Sequence, residues 1–184
     1  MPNTRTDMSQ NGTARTARCA PELVRLDTGS ERAAGLRAAV VRLRLGPGRH
    51  FADPAHETLP RADADPNRVP FAVVNEGEAV GFGILDRRGN LAELTPHPER
   101  AVLLRAFYID PARQGLGLGR AACNALDPIA RDVAPDADTV LLTVNERNPA
   151  AIRAYLAGGF DYTGDRYLNG DMGPQFVLRR PIAR

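Results

Sequence analysis

The chain has 184 residues, 43% of them hydrophobic and 25% charged, with a formal net charge of +2. That size and balance fit one ordinary globular domain with a good core. The whole charge surplus sits in the first twenty residues, where Arg5, Arg15 and Arg18 stand against Asp7. The remaining body is neutral, which argues against a surface built to grip nucleic acid.

Every basic residue other than histidine is an arginine. With no lysine, the chain has no side chain for a Schiff base. Cys19 and Cys123 are far apart and lack partners at metal-ligand spacing, so neither a disulfide nor a metal site is expected. His50, His56 and His97 lie in predicted loops, again without metal spacing. No apolar run is long enough to span a membrane, and the N-terminus has no hydrophobic signal core. The expected compartment is the cytoplasm.

Residues 1–20 are polar and aperiodic and are expected to form a disordered tail ahead of a single domain over 21–184. Glu22 to Asp27 alternates as a first strand. Thr28 and Ser30 offer caps for a helix over Glu31 to Leu45, with Leu36, Val40 and Leu43 on its apolar stripe. Gly46-Pro47-Gly48 stops it. Residues 49–68 read as loop with a short helix from Pro54 to Ala62. Val69–Val74 and Ala79–Leu85 flank Asn75-Glu76-Gly77-Glu78, a hairpin signal. Residues 86–99 read as a polar connection. Ala101 to Ile109 is a buried strand broken only by Arg105, and Asp110-Pro111 ends it. Arg120 to Arg131 reads as a helix, Thr139–Val144 as a strand and Asn148–Ala157 as a helix ended by Gly158-Gly159. Phe160–Thr163 and Gln175–Arg179 are the last strands. The pattern predicts an α/β fold, a mixed and mostly antiparallel sheet of six or seven strands flanked by helices.

The chemistry concentrates between Ala101 and Arg120. After the buried strand come Gly115, Gly117 and Gly119, and then a helix start. First-turn amides lack intrahelical partners, and glycines let an anion approach them closely. This is no P-loop, because no Gly-Lys-Ser/Thr follows. Gly117-Leu118-Gly119-Arg120-Ala121-Ala122 also fits a dinucleotide fingerprint with Asp138 some twenty residues on. That motif comes late in the chain, however, and Asp138 precedes a strand where the ribose-binding acid should end one.

A second stretch narrows the choice. In NPAAIRAYLAGGF, Asn148 is followed by Ala151, Tyr155 and Gly159-Phe160. With Gln114-x-x-Gly117-x-Gly119 upstream, this pair of signatures resembles the GCN5-related N-acetyltransferases, weakly before residue 69 and strongly over 101–160. The resemblance implies acetyl-CoA as acetyl donor and a V-shaped split between two central strands. The backbone of Gln114, Gly115, Leu116, Gly117, Leu118, Gly119 and Arg120 would cradle the pyrophosphate. Phe107, Tyr108 and Ile109 would pair with the pantetheine arm, and Asn148 would both start its helix and touch the cofactor.

Tyr155 is the catalytic candidate, since the departing thiolate needs a proton or a hydrogen bond. Its periodicity with Ile152 and Leu156 alone reads as core. The attacking amine must be neutral, so a base is required; Glu57, Glu93, Glu146 and a water relay are the candidates. The implied reaction is direct acetyl transfer to a primary amine of a small molecule. Arg68-Val69-Pro70-Phe71, Val80-Gly81-Phe82 and Gln114-Gly115 are somewhat similar to bacterial spermine/spermidine acetyltransferases, which would make the acceptor a polyamine. Alternatives are a protein or aminoacyl-tRNA acetyltransferase and a non-catalytic acyl-CoA-binding module. A second copy of the chain, forming a homodimer, is the partner considered beside the small-molecule amine; no nucleic acid, membrane or metal partner is expected.

Overall fold

A computed structural model describes residues 20–46 and 51–183. The predicted tail up to residue 19, with Cys19, and the segment holding Pro47, Gly48 and His50 lie outside the described residues. Seven strands form one sheet: β1 (Glu22–Arg25), β2 (Arg68–Asn75), β3 (Glu78–Asp86), β4 (Ala101–Ile109), β5 (Thr139–Asn145), β6 (Asp161–Tyr167) and β7 (Gln175–Pro181). Their order is β1-β2-β3-β4-β5-β7-β6. All pairings are antiparallel except β4 with β5. The helices are α1 (Glu31–Val40), α2 (Ala55–Asp63), α3 (Leu91–Leu94), α4 (Leu118–Asn124), α5 (Leu126–Val133) and α6 (Pro149–Ala157). None is long and apolar enough to cross a membrane.

Alternation along the strands sorts the side chains into layers. One face of the sheet, with Phe71, Val73, Leu85, Val102, Leu104 and Leu142, packs against Leu118, Leu126 and Ile152 of α4, α5 and α6. On the other face Ala72, Val74, Phe82, Ile84 and Tyr108 meet α1 and α2. A separate cluster on that second face joins Leu103, Leu141 and Val177 to Leu91 and Leu94 of α3. The second face is therefore covered by two patches with a gap between them, and β4 crosses the gap at Arg105.

Two irregularities in β4 shape the sheet. It pairs with β5 only from Ala101–Leu103 to Thr139–Leu141, although β5 pairs with β7 along its full length. Beyond Leu103 the two central strands part. On its other side β4 pairs Tyr108 with Phe82 but Arg105 with Ile84, so three steps on β4 match two on β3. The extra residue makes a bulge with Ala106 at φ +47°. A bulge bends and twists its strand away from its former line. Opposite it, Gly83 has no room for a side chain: a Cβ there would lie 2.5 Å from Phe71 Cζ and 3.1 Å from Phe107 Cδ2.

Three helical expectations change. The first helix ends at Val40 rather than Leu45. Arg42 and Leu43 turn their N–H groups to carbonyls three residues back, and the next N–H, of Arg44, donates to Asp110 Oδ2 at 3.0 Å. The helix expected over Arg120–Arg131 starts earlier and divides at Ala125 into α4 and α5, because Pro128 cannot donate to the carbonyl of Asn124. The expected connection over 86–99 contains α3, whose Leu91 and Leu94 are buried.

Asp110 is buried and ties the chain after α1 to the end of β4. Its Oδ1 accepts Ala112 N–H at 2.9 Å as its Oδ2 accepts Arg44 N–H. Burial works against its charge, but the two backbone donors prevail and hold the carboxyl below the usual carboxylate range. Asp110→Ala should cost about 1–3 kcal/mol of stability at neutral pH, measured by denaturant unfolding. A depressed folded-state pKa contributes stability above the unfolded value and loses it as pH falls through the folded one. The gap between wild type and variant should therefore narrow on acidification.

Candidate active site

Where β4 and β5 part, a cleft of about 540 Å³ passes into the sheet. Phe107, Val144, Asn148 and Tyr155 line it toward the α6 face. Asp53, Arg61, Arg68, Ile84 and Arg105 line it toward the α2 face. The loop between β6 and β7 forms part of its rim through Asn169, Asp171 and Met172.

Tyr155 is both core and cleft. Its ring stands 6.2 Å from that of Phe107 and edge-on at 5.8 Å to Phe160, and Phe107 is 6.4 Å from Phe71. This line of rings joins β2, β4 and α6 across the split. The expected stripe is only partly right: Ile152 is buried, but Leu156 is 37% exposed. The segment after Tyr155 is held by Gly159 at φ +86° and by Phe160 N–H donating to the Tyr155 carbonyl at 3.1 Å, a left-handed helix ending. Gly158 lets α6 close on α4, since a Cβ there would lie 2.5 Å from Cys123 Cβ. Burial, reinforced by the neighbouring Cys123, pushes the Tyr155 hydroxyl above the ordinary tyrosine value. It stays protonated at neutral pH and is a hydrogen-bond donor. Burial also pushes the Cys123 thiol up to about 12, so this cysteine is no nucleophile.

Asn148 caps α6, its Oδ1 accepting Ala151 N–H at 3.2 Å ahead of Pro149, and it also lines the cleft. The glycine loop lies at the start of α4. Gly115 and Gly117 have φ +77° and +78°, and a Cβ at either would meet nothing within 4 Å. These two glycines are required by backbone conformation, and the space above them is open. At Gly119 the φ is ordinary and a Cβ would lie 3.7 Å from Ile109 Cγ1, so nothing in the fold demands glycine there. Ala121 N–H returns to the Gly117 carbonyl. The preceding amides of Leu118, Gly119 and Arg120 precede the first such bond and have no helical acceptor. The Leu118 side chain is buried in the core, whereas Leu116 is 47% exposed and Arg120 lies on the surface.

The three strand candidates play different parts. Phe107 lines the cleft. Tyr108 turns to the opposite face, where its hydroxyl accepts Ala55 N–H at 3.0 Å. Asp110 N–H donates to Val80 and Tyr108 pairs with Phe82, so the residue between them, Ile109, directs its backbone to the open edge. There Gln114 Nε2 donates to the Ile109 carbonyl at 2.9 Å. The Gln114 side chain thus fixes the end of the strand, while its backbone begins the glycine loop.

The carboxylates expected near the acceptor are not brought together. Glu57 lies exposed on α2, 3.8 Å from Arg61 Nη2. Glu93 accepts from Asn169 Nδ2 at 2.9 Å, and Glu146 pairs with Arg166 Nε at 3.0 Å. None of the three lines the cleft; Asp53 and Asp171 do. Sequence reasoning also passed over Arg105 and its partner Asp86, which is wholly buried. The available signal was a charge in the middle of an otherwise apolar strand. Among the described residues no cluster of histidine, cysteine or carboxylate side chains is placed to hold a metal.

Comparison with known proteins agrees with this fold. Residues 39–160 match the model of the acetyltransferase (GNAT) family. An uncharacterised N-acetyltransferase of Bacillus subtilis is 28% identical over 131 residues, 71% of this chain and 81% of that protein. The spermine/spermidine N(1)-acetyltransferase of the same organism is 30% identical over 102 residues, 55% of this chain and 65% of that protein. The solved structure of an aminoglycoside acetyltransferase with coenzyme A and kanamycin superposes with a TM-score of 0.64 at 17% identity, covering 87% of this chain and 95% of that one.

Asn148→Ala should remove the α6 cap at a cost of about 1 kcal/mol, read as a lower denaturant midpoint with an unchanged slope.

Proposed function

The chain belongs to the GNAT acetyltransferase family and is an acyltransferase whose acetyl donor is acetyl-CoA; from that premise we propose direct transfer to a primary amine of a small molecule at the β4–β5 split. The observation that carries this reading is that the parted edge of β4 and Tyr155 share one cleft, while the glycine loop that follows the same strand stands outside the cleft lining with open space above Gly115 and Gly117.

The donor fits the residues present. The amides of Leu118, Gly119 and Arg120, with Gly115 and Gly117 leaving the approach clear, would hold the pyrophosphate. The unpaired edge of β4 beside Phe107 and Ile109 would take the amide groups of the pantetheine arm as an added strand takes its neighbour. Asn148 would touch the same arm from the start of α6. Bound there, acetyl-CoA supplies an activated thioester carbonyl.

Tyr155 then acts on the departing sulfur. A thiol has a pKa of about 8.5 and tyrosine one of about 10, and burial raises Tyr155 further. Full proton transfer to the thiolate is uphill, so Tyr155 serves as a hydrogen-bond donor that stabilises charge developing on sulfur. The amine must arrive neutral. Glu57, Glu93 and Glu146 stand outside the cleft lining, Asp53 is paired with Arg61 and Asp171 stands at the rim, so in this proposal the amine passes its proton to a water relay. No covalent acetyl-enzyme is needed, in keeping with the inert Cys123. A polyamine acceptor is the second reading, favoured by the activity in the name of the 30% identical relative.

Thiol release from acetyl-CoA across a panel of amines tests the proposal. Tyr155→Phe should lower kcat by about 100-fold or more with little change in acetyl-CoA affinity; undiminished turnover would take Tyr155 out of the mechanism. Gly117→Val, at a left-handed position with open space above it, should weaken acetyl-CoA binding measured by calorimetry. Wild-type turnover should rise with pH as the amine deprotonates. Because the Tyr155 pKa is raised, no loss from its ionisation should appear below about pH 10.

A further inference from the structure

Asp86 ends β3 with its side chain fully covered, yet it lies under the gap between the two helical patches of the second sheet face. Both of its carboxylate oxygens are engaged. Oδ1 takes Arg88 N–H at 2.9 Å; Oδ2 takes Arg68 Nε at 3.1 Å and Arg105 Nη1 at 3.0 Å. The following loop is folded tightly over this pair. Gly89 has φ +38°, and a Cβ there would fall 3.0 Å from Asp86 Oδ2 and 3.3 Å from Arg105 Nη1.

Such a carboxylate cannot reach a substrate, but it can aim a guanidinium. Arg105 lines the cleft with its side chain 40% exposed, and among the described residues Asp86 is its one ionic partner. Arginine carries five N–H donors in a rigid fork, so one tethered Nη leaves the others for the cleft. The nearby acids are either paired with arginines or stand at the rim. Asp53 is paired with Arg61 at 3.2 Å, Asp65 with Arg68 at 3.3 Å, and Asp171 is on the exposed rim. A polycation reaching the floor of this cleft would meet a guanidinium rather than a carboxylate.

The position of Arg105 separates it from the donor. It opens on the face of α2 and α3, whereas the glycine loop and α6 lie on the other. It is also two residues from Phe107, roughly 7 Å along a strand, so a group bound to it lies within one small molecule of the reacting amine. Resting on the acetyl-transfer reading above, we infer that the acceptor is a small amine bearing an anionic oxygen group, carboxylate or phosphate, and that Arg105, oriented by Asp86, binds that group.

The test compares acetylation of matched amines: glycine with glycinamide, and ethanolamine with phosphoethanolamine, alongside spermidine and kanamycin. Measuring kcat/KM across pH removes differences in amine ionisation. An anionic member preferred by about ten-fold or more is expected, the size of one charge-assisted hydrogen bond, and the favoured pair distinguishes carboxylate from phosphate. Arg105→Gln should abolish the preference and Arg105→Lys should restore part of it. Should Arg105→Gln not fold, competition of wild-type turnover by propionate and methylphosphonate against the amine gives the same information. Equal turnover of matched members, or spermidine or kanamycin as best substrate, would overturn the inference and leave acetyl transfer standing. Intact acetyl-CoA binding with no amine acetylated would overturn both.

Discussion

A single residue out of register in β4 sets the form of this molecule. Ala106 holds a left-handed backbone that costs an L-residue roughly 1–2 kcal/mol. Its surroundings hold it there: Gly83 gives up its side chain to Phe71 and Phe107, and Tyr108 is anchored through its hydroxyl to Ala55 on the far face. The strand keeps β3 on both sides of the bulge, but beyond Leu103 it leaves β5, which remains with β7. The opening is therefore not a missing piece of sheet. Each central strand keeps one full partner, and the backbone groups that face the split beyond Leu103 are left without a strand partner.

How much of this could be read beforehand depended on the kind of signal. The strands were legible because their apolar runs are long and are bounded by turn residues, as at Glu76-Gly77 and Asp110-Pro111. The glycine loop and the Asn148-to-Phe160 segment were legible because several of their residues have a local backbone reason: Gly115, Gly117 and Gly159 sit at positive φ, and Asn148 caps its helix. The bulge had no such mark, since alanine is an ordinary strand residue and its conformation is imposed by neighbours distant in sequence. Likewise the true end of α1 depends on Asp110, sixty-six residues from the Arg44 N–H it accepts. The three glutamates were candidates by position in the chain, but none lines the cleft: Glu57 and Glu146 are paired with arginines, and Glu93 accepts from the Asn169 amide at the rim.

Arg105 and Asp86 show the converse case. A charge amid Leu103, Leu104 and Phe107 counts only as an interruption when the strand is read for periodicity. In the folded chain it is the place where β2, β3 and β4 are joined through one buried carboxylate, with Arg68 and Arg105 as its cations. Burying a charge is costly unless it is paired and its hydrogen-bonding capacity is met, and here backbone and side-chain donors meet it together. The same pairing limits the motion of a long, flexible arginine on the cleft floor.

The open edge of β4 also has fixed ends. Pairing with β5 closes it at Leu103, and the Gln114 amide occupies the Ile109 carbonyl at the other limit. Between them lies strand from Leu104 to Ile109, about 20 Å when extended. A slot closed at both ends works as a gauge: an extended arm lying in it is registered by length as well as by chemistry. Under the proposed reaction, an arm one rung too short or too long would misplace its reactive end against Tyr155, and Gln114, by closing the slot at Ile109, would help set that register.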